Sequence, residues 1–167
     1  VLDVSGSMEG EKLQQAKDGV TYVLSHLNAE DRFNVIAFSS QARSFAQMPV
    51  GLERVAEARA WVATLEALGG TNIYLGLSEA LRQSSPERPT TVLFLTDGLP
   101  TEGIVDEQAL LNAIADEAPS RSRIFPFGVG YDVNTFLLDK MAGNHNGVPE
   151  YVRPGEDLEV KVSALYR

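Results

Sequence analysis

Asp3, Ser5 and Ser7 occupy alternate positions where an apolar strand, Val1-Leu2-Asp3-Val4, runs out into the turn Ser5-Gly6-Ser7-Met8. One carboxylate and two hydroxyls spaced in this way can all aim at one point above the end of the strand. A site made of oxygen donors alone suits a hard divalent cation such as Mg²⁺, with Mn²⁺ or Ca²⁺ as chemically acceptable substitutes. Two other segments offer the same chemistry. Thr71 follows Gly69-Gly70 and precedes Asn72, and Asp97 closes the apolar run Thr91 to Thr96 just before Gly98. Hydroxyl ligands bind through neutral oxygen, so they leave the ion more electrophilic than a cage of carboxylates would.

Taken alone, Asp3-x-Ser5-x-Ser7 also describes an ordinary capped helix entry, because Ser and Asp cap helix N-termini routinely. Thr71 and Asp97 decide against that reading only if the fold brings all three segments together. Alternating helix and strand patterns supply such a fold. Residues 1–4 read as the tail of a strand. Glu9 to Leu27 read as an amphipathic helix with Leu13, Ala16, Val20, Val23, Leu24 and Leu27 on one stripe. Arg32 to Phe38 reads as a strand and Arg43 to Ala46 as a short antiparallel edge strand. Leu52, Val55, Ala58, Val62 and Leu65 mark a second helix, and Ile73, Leu77, Ala80 and Leu81 a third. Thr90 to Thr96 is a continuous apolar run, as expected of a parallel strand buried on both faces. Leu110, Leu111, Ile114 and Ala118 mark a fourth helix. Arg123 to Val129 is a further strand, in which Pro126 is awkward for a central position. Val133, Phe136, Leu137 and Met141 fit a short helix, Tyr151 and Val152 a last strand, and Leu158, Val162 and Leu165 a last helix.

This alternation predicts an α/β fold with a parallel sheet covered on both faces. In such sheets ligands bind beyond the carboxyl ends of the strands, near a topological switch point. Asp3 and Asp97 fall at such ends, and Thr71 opens a helix after a glycine turn. Periodicity alone therefore sends all three segments to one rim.

The 167 residues suit one domain with one sizeable core. A net charge of −9 disfavours nucleic acid and anionic membrane surfaces, which require a basic footprint. With no cysteine there is neither a disulfide framework nor a thiolate metal site. No apolar stretch approaches the roughly 20 residues that span a bilayer, so direct membrane insertion is not expected. The first candidate ligand lies at position 3, whereas a strand usually runs about 5–6 residues. The expectation is a single domain over residues 1–167, cut from a longer protein inside its first strand.

The ordered set Asp3, Ser5 and Ser7, then Thr71, then Asp97, resembles the metal-ion-dependent adhesion site of von Willebrand factor type A (VWA) domains. The resemblance spans nearly the whole chain. It implies a doubly wound, mostly parallel, Rossmann-like sheet of about six strands, with one antiparallel edge strand and helices on both faces. It also implies direct metal ligation by Ser5, Ser7 and Thr71, with Asp3 and Asp97 acting largely through water. An open coordination position would then accept an Asp or Glu of a partner protein. The loop Asp97-Gly98-Leu99-Pro100-Thr101-Glu102-Gly103 is similar to that of inter-α-trypsin inhibitor heavy chains and their bacterial relatives. That likeness favours a secreted or envelope-associated protein over a cytoplasmic one. Glu102 reads as a solvated loop residue.

Rival chemistry has weaker support. A Mg²⁺-dependent phosphoryl-transfer enzyme with Asp3 as nucleophile would want a second acidic residue where Ser5 stands. Neither a P-loop nor a nucleophile elbow is present. Catalysis is therefore not expected. An intracellular VWA scaffold working with an ATPase partner is the alternative that the residues leave open. His26 suits a helix C-terminus. His26 and His145 both lack a second histidine or cysteine at ligand spacing, so surface roles are expected. Tyr22 and Trp61 read as packing residues. Gly128-Val129-Gly130 is not a dinucleotide fingerprint and reads as a strand-end turn that lets loops approach.

Overall fold

The computed structural model describes residues 1–166 and arranges six strands in one sheet of order β3-β2-β1-β4-β5-β6. The strands are β1 (Leu2–Asp3), β2 (Ile36–Phe38), β3 (Ala42–Ser44), β4 (Thr90–Thr96), β5 (Ser122–Val129) and β6 (Glu150–Val152). Neighbours run parallel except β2 and β3, which form the antiparallel edge pair. The helices are α1 (Glu11–Ser25), α2 (Val55–Ala63), α3 (Ile73–Arg82), α4 (Glu107–Glu117), α5 (Thr135–Asn144) and α6 (Leu158–Ser163). This is the doubly wound α/β sheet expected from the alternation of patterns.

Period-two alternation along the strands divides the core in two. Leu2, Val35, Ala37, Leu95, Phe125 and Phe127 face α1, α2 and α6, where Leu13, Ala16, Val20, Ala58, Val62 and Leu158 meet them. Phe38, Val92, Phe94 and Ile124 face α3, α4 and α5, against Ile73, Leu77, Leu110, Ile114, Leu137 and Met141. Close packing fixes the helices to this sheet. At Gly76 of α3 a Cβ would lie 2.6 Å from the Phe38 ring, so only glycine lets α3 sit this near β2. The strand order reverses between β1 and β4, and the two strands are hydrogen-bonded neighbours there. The carboxyl ends that carry Asp3 and Asp97 are thus adjacent, at the switch point.

Four details depart from the sequence reading. β2 begins at Ile36 rather than Arg32, with one isolated bridge between Phe33 and Val50. The Asn34 side chain is the cause: its Oδ1 accepts from Val35 N at 2.9 Å and Ala46 N at 3.1 Å, replacing ladder bonds. Pro126 lies inside an unbroken β5 and pairs with Phe94. Ile124 N and Gly130 N donate away from β4, to His145 O and Val152 O, and Pro126 shares their parity. Its missing N–H therefore faces the edge that β6 has not yet reached, where no ladder bond is lost. Phe136 is 56% exposed and lies under Lys140 instead of joining the core. His26 stays at the surface as expected, capping α1 with its ring stacked on Tyr22.

His145 is the fourth departure, because it is buried rather than exposed. The turn after α5 is pressed against β5: His145 O accepts from Ile124 N, and a Cβ at Gly147 would lie 1.7 Å from Ile124 O. The His145 Nε2 has no hydrogen-bond partner among the described residues. Burial pushes the imidazole pKa below its ordinary 6.5. The folded protein therefore keeps His145 neutral where the unfolded chain takes up a proton. Stability from this residue is present at neutral pH and is lost as pH falls from about 6.5 towards the folded-state pKa. The stability difference between the protein and His145→Gln should accordingly shrink from about pH 7 to about pH 5 in urea denaturation. A difference independent of pH would contradict this.

Candidate metal centre

The end of β1 delivers Asp3 into the interior, at 0% exposure. Both of its oxygens are held. Oδ1 accepts from Ser5 N at 2.8 Å, and Oδ2 accepts from Thr96 Oγ1 at 2.7 Å. From there a line of side chains crosses to β4. Ser5 Oγ and Ser7 Oγ are 3.1 Å apart, and Ser7 Oγ donates to Asp97 Oδ1 at 3.0 Å. The Lys12 ammonium closes the line with a 2.8 Å bond to Asp97 Oδ2. Four of the five candidate residues thus form one connected group.

Thr71, the fifth, reaches the same rim through backbone bonds. Gly6 N donates to Gly69 O at 2.9 Å and Leu68 N to Val4 O at 2.8 Å, which ties the α2–α3 loop to the β1 turn. Gly69 has φ +87, a left-handed value that suits glycine. The loop after β4 clamps Thr71 from the other side. Thr71 N donates to Thr101 Oγ1 at 2.9 Å, and Thr71 O accepts from Thr101 N and Glu102 N. Asn72 caps α3 by accepting from Leu75 N at 3.1 Å. The Thr71 side chain is buried and makes no side-chain hydrogen bond to the other four. Glu102 is exposed, as its loop position suggested, yet its carboxylate folds over Gly70 and accepts from Ser40 Oγ at 3.0 Å.

Two carboxylates share this small region. Burial pushes the Asp3 pKa up and the charge of Asp97 adds to that, while the Ser5 and Thr96 donors pull it down. The Asp97 side chain is only 9% exposed. The donors are carboxylate and hydroxyl oxygens with no nitrogen or sulfur, and they fit a hard divalent cation. A dication would also relieve the cost of holding the Asp3 carboxylate, which has only neutral donors, away from water.

The fold and these residues define a VWA-type module. The von Willebrand factor type A domain family matches residues 1–151, and the chain belongs to that family. Among its relatives, human inter-alpha-trypsin inhibitor heavy chain H4 is 31% identical over 178 residues, covering 100% of this chain and 19% of the heavy chain. The chain thus spans about a fifth of the length of the curated relatives it matches. A von Willebrand factor type A structure from Catenulispora acidiphila superposes with a TM-score of 0.88 at 24% identity, covering 98% of this chain and 40% of that one. Proximal thread matrix protein 1 from the mussel byssus, solved with a zinc-occupied MIDAS motif, gives 0.71 at 19% identity, covering 98% and 44%.

Sequence reasoning passed over three residues that the geometry brings in: Thr96, Thr101 and Lys12. Thr96 carried a signal, being a polar residue that ends an apolar strand beside Asp97. Thr101 stood inside the loop that resembles the heavy chains but without a role, and Lys12 carried no signal, since only tertiary structure brings them to Thr71 and Asp97. The burial of Asp3 makes its own prediction. Asp3→Asn keeps the acceptor for Ser5 N and removes a buried charge. In EDTA it should raise stability by roughly 0.5–2 kcal/mol, the trade expected where function strains a site. A denaturation midpoint equal to or below that of the unaltered protein would contradict the account.

Proposed function

We propose that this domain is a protein-interaction module that holds a divalent cation, Mg²⁺ in the first instance, and grips a partner through it. The observation that carries the reading is the connected line Asp3–Ser5–Ser7–Asp97 beside a buried Thr71 at the sheet's switch point. Ser5, Ser7 and Thr71 would ligate through their hydroxyls, with Asp3 and Asp97 in support through water. When bound, the ion supplies a Lewis-acidic position for an Asp or Glu carboxylate presented by a partner protein. Asp3 orients Ser5 through its backbone N–H, and Thr96 holds Asp3 in place. The clamp on Thr71 keeps the α2–α3 loop against the β1 turn.

The same geometry favours binding over catalysis. A nucleophilic carboxylate needs an oxygen open to substrate, whereas Asp3 is wholly buried with both oxygens bonded. The heavy-chain likeness supports a secreted or envelope-associated setting, with the domain as one part of a longer protein. No helix among the described residues is long and apolar enough to cross a membrane.

Linkage provides the test. At a hundredfold excess over Kd, a ligand that binds only the folded state stabilises it by about 2.7 kcal/mol. The thermal midpoint should then rise by several degrees on replacing EDTA with Mg²⁺ or Mn²⁺. Ser7→Ala and Thr71→Ala should lose most of that rise while retaining a cooperative transition in EDTA. An unaltered midpoint with Mg²⁺, Mn²⁺ and Ca²⁺ alike would remove the reading.

A further inference from the structure

Lys12 is the second residue of α1, and its side chain leaves the helix to reach across the rim. The stem lies over Gly130, in the turn after β5. Gly130 has φ +106, and a Cβ there would stand 3.0 Å from Lys12 Cδ. The ammonium ends 2.8 Å from Asp97 Oδ2, with the lysine side chain 33% exposed and that of Asp97 9%. The other Asp97 oxygen accepts from Ser7. Both oxygens of this carboxylate are therefore engaged within the protein, one of them by a full positive charge seated on a glycine turn.

This pairing alters what the centre offers a cation. Asp3 and Asp97 together carry two negative charges, and Lys12 returns one. A dication entering the site meets a neighbouring ammonium and a carboxylate already neutralised. It binds less tightly than it would to the unpaired carboxylates, and a net positive charge remains to attract an incoming carboxylate. We propose that Lys12 is a positioning residue that tunes the site: it anchors Asp97 to an internal cation and weakens metal affinity. The bound ion is thereby left electrophilic towards an acidic partner. The inference rests on the metal-centre reading above and adds a residue and a direction to it.

Calorimetric titration of the purified domain with MgCl₂ and MnCl₂ tests it without any partner. Lys12→Met keeps an apolar stem over Gly130 and removes the charge. It should tighten the metal Kd roughly tenfold at low ionic strength, by the size of a screened repulsion between a single and a double charge at short range. Lys12→Gln should shift affinity the same way, and Lys12→Arg should stay near the unaltered protein. In EDTA, Lys12→Met should be no more stable than the unaltered protein, because it loses an ion pair. Loss of a merely structural lysine would lower stability and metal affinity together, so an unchanged or weaker Kd in both neutral variants overturns the proposal. Metal binding by Lys12→Met alone would support it. No binding by any of the four proteins would overturn the metal-centre reading itself, and this inference with it.

Discussion

A carboxylate with no access to water is the constraint on which the site depends. Asp3 ends the short strand β1 inside the protein, and such a group persists only where donors reach it. Ser5 supplies a backbone N–H and Thr96 a hydroxyl. The first bond fixes the turn that carries Ser5 and Ser7. The second joins β1 to the last residue of β4 and so sets the position of Asp97. One buried acid thus orients both halves of the switch point.

The surrounding framework keeps the three loops in register. Parallel pairing of β1 with β2 and with β4 aligns their carboxyl ends. Backbone bonds from Gly6 to Gly69 and from Leu68 to Val4 tie the α2–α3 loop to the β1 turn, and Thr101 ties it to the loop after β4. Backbone hydrogen bonds and the Asp3, Thr101 and Ser40 side chains share the placing of these loops. The two core clusters beneath hold the helices that begin at this rim, α1 and α3, against opposite faces of the sheet. Rigid elements below and short tied loops above are the arrangement that a preorganised ligand set requires.

Much of this was legible in the residues because periodicity and composition agree. The run from Thr90 to Thr96 read as a doubly buried strand and is one from Val92 onward, and the stripe Leu13, Ala16, Val20 and Leu24 marks the buried face of α1. Oxygen donors at positions 3, 5, 7, 71 and 97 pointed to one rim, Asp3 and Asp97 through strand ends and Thr71 through the glycine turn that precedes α3. What stayed hidden was tertiary. Asn34 shortens β2 by accepting from Val35 N and Ala46 N, and Pro126 is harmless only because of which edge its nitrogen faces. His145 looked like a loop residue until Gly147 let its turn approach β5. Lys12 has its partner 85 residues away, a pairing that no local pattern announces.

The most direct measurement of the central claim is anomalous diffraction from crystals of the domain grown or soaked with Mn²⁺. The account predicts one strong peak at the rim, within coordination distance of Ser5 Oγ and Ser7 Oγ, with Thr71 Oγ1 facing it and Asp3 and Asp97 beside it. A peak confined to other residues, or none at millimolar Mn²⁺, would contradict the claim that these five residues form a metal centre.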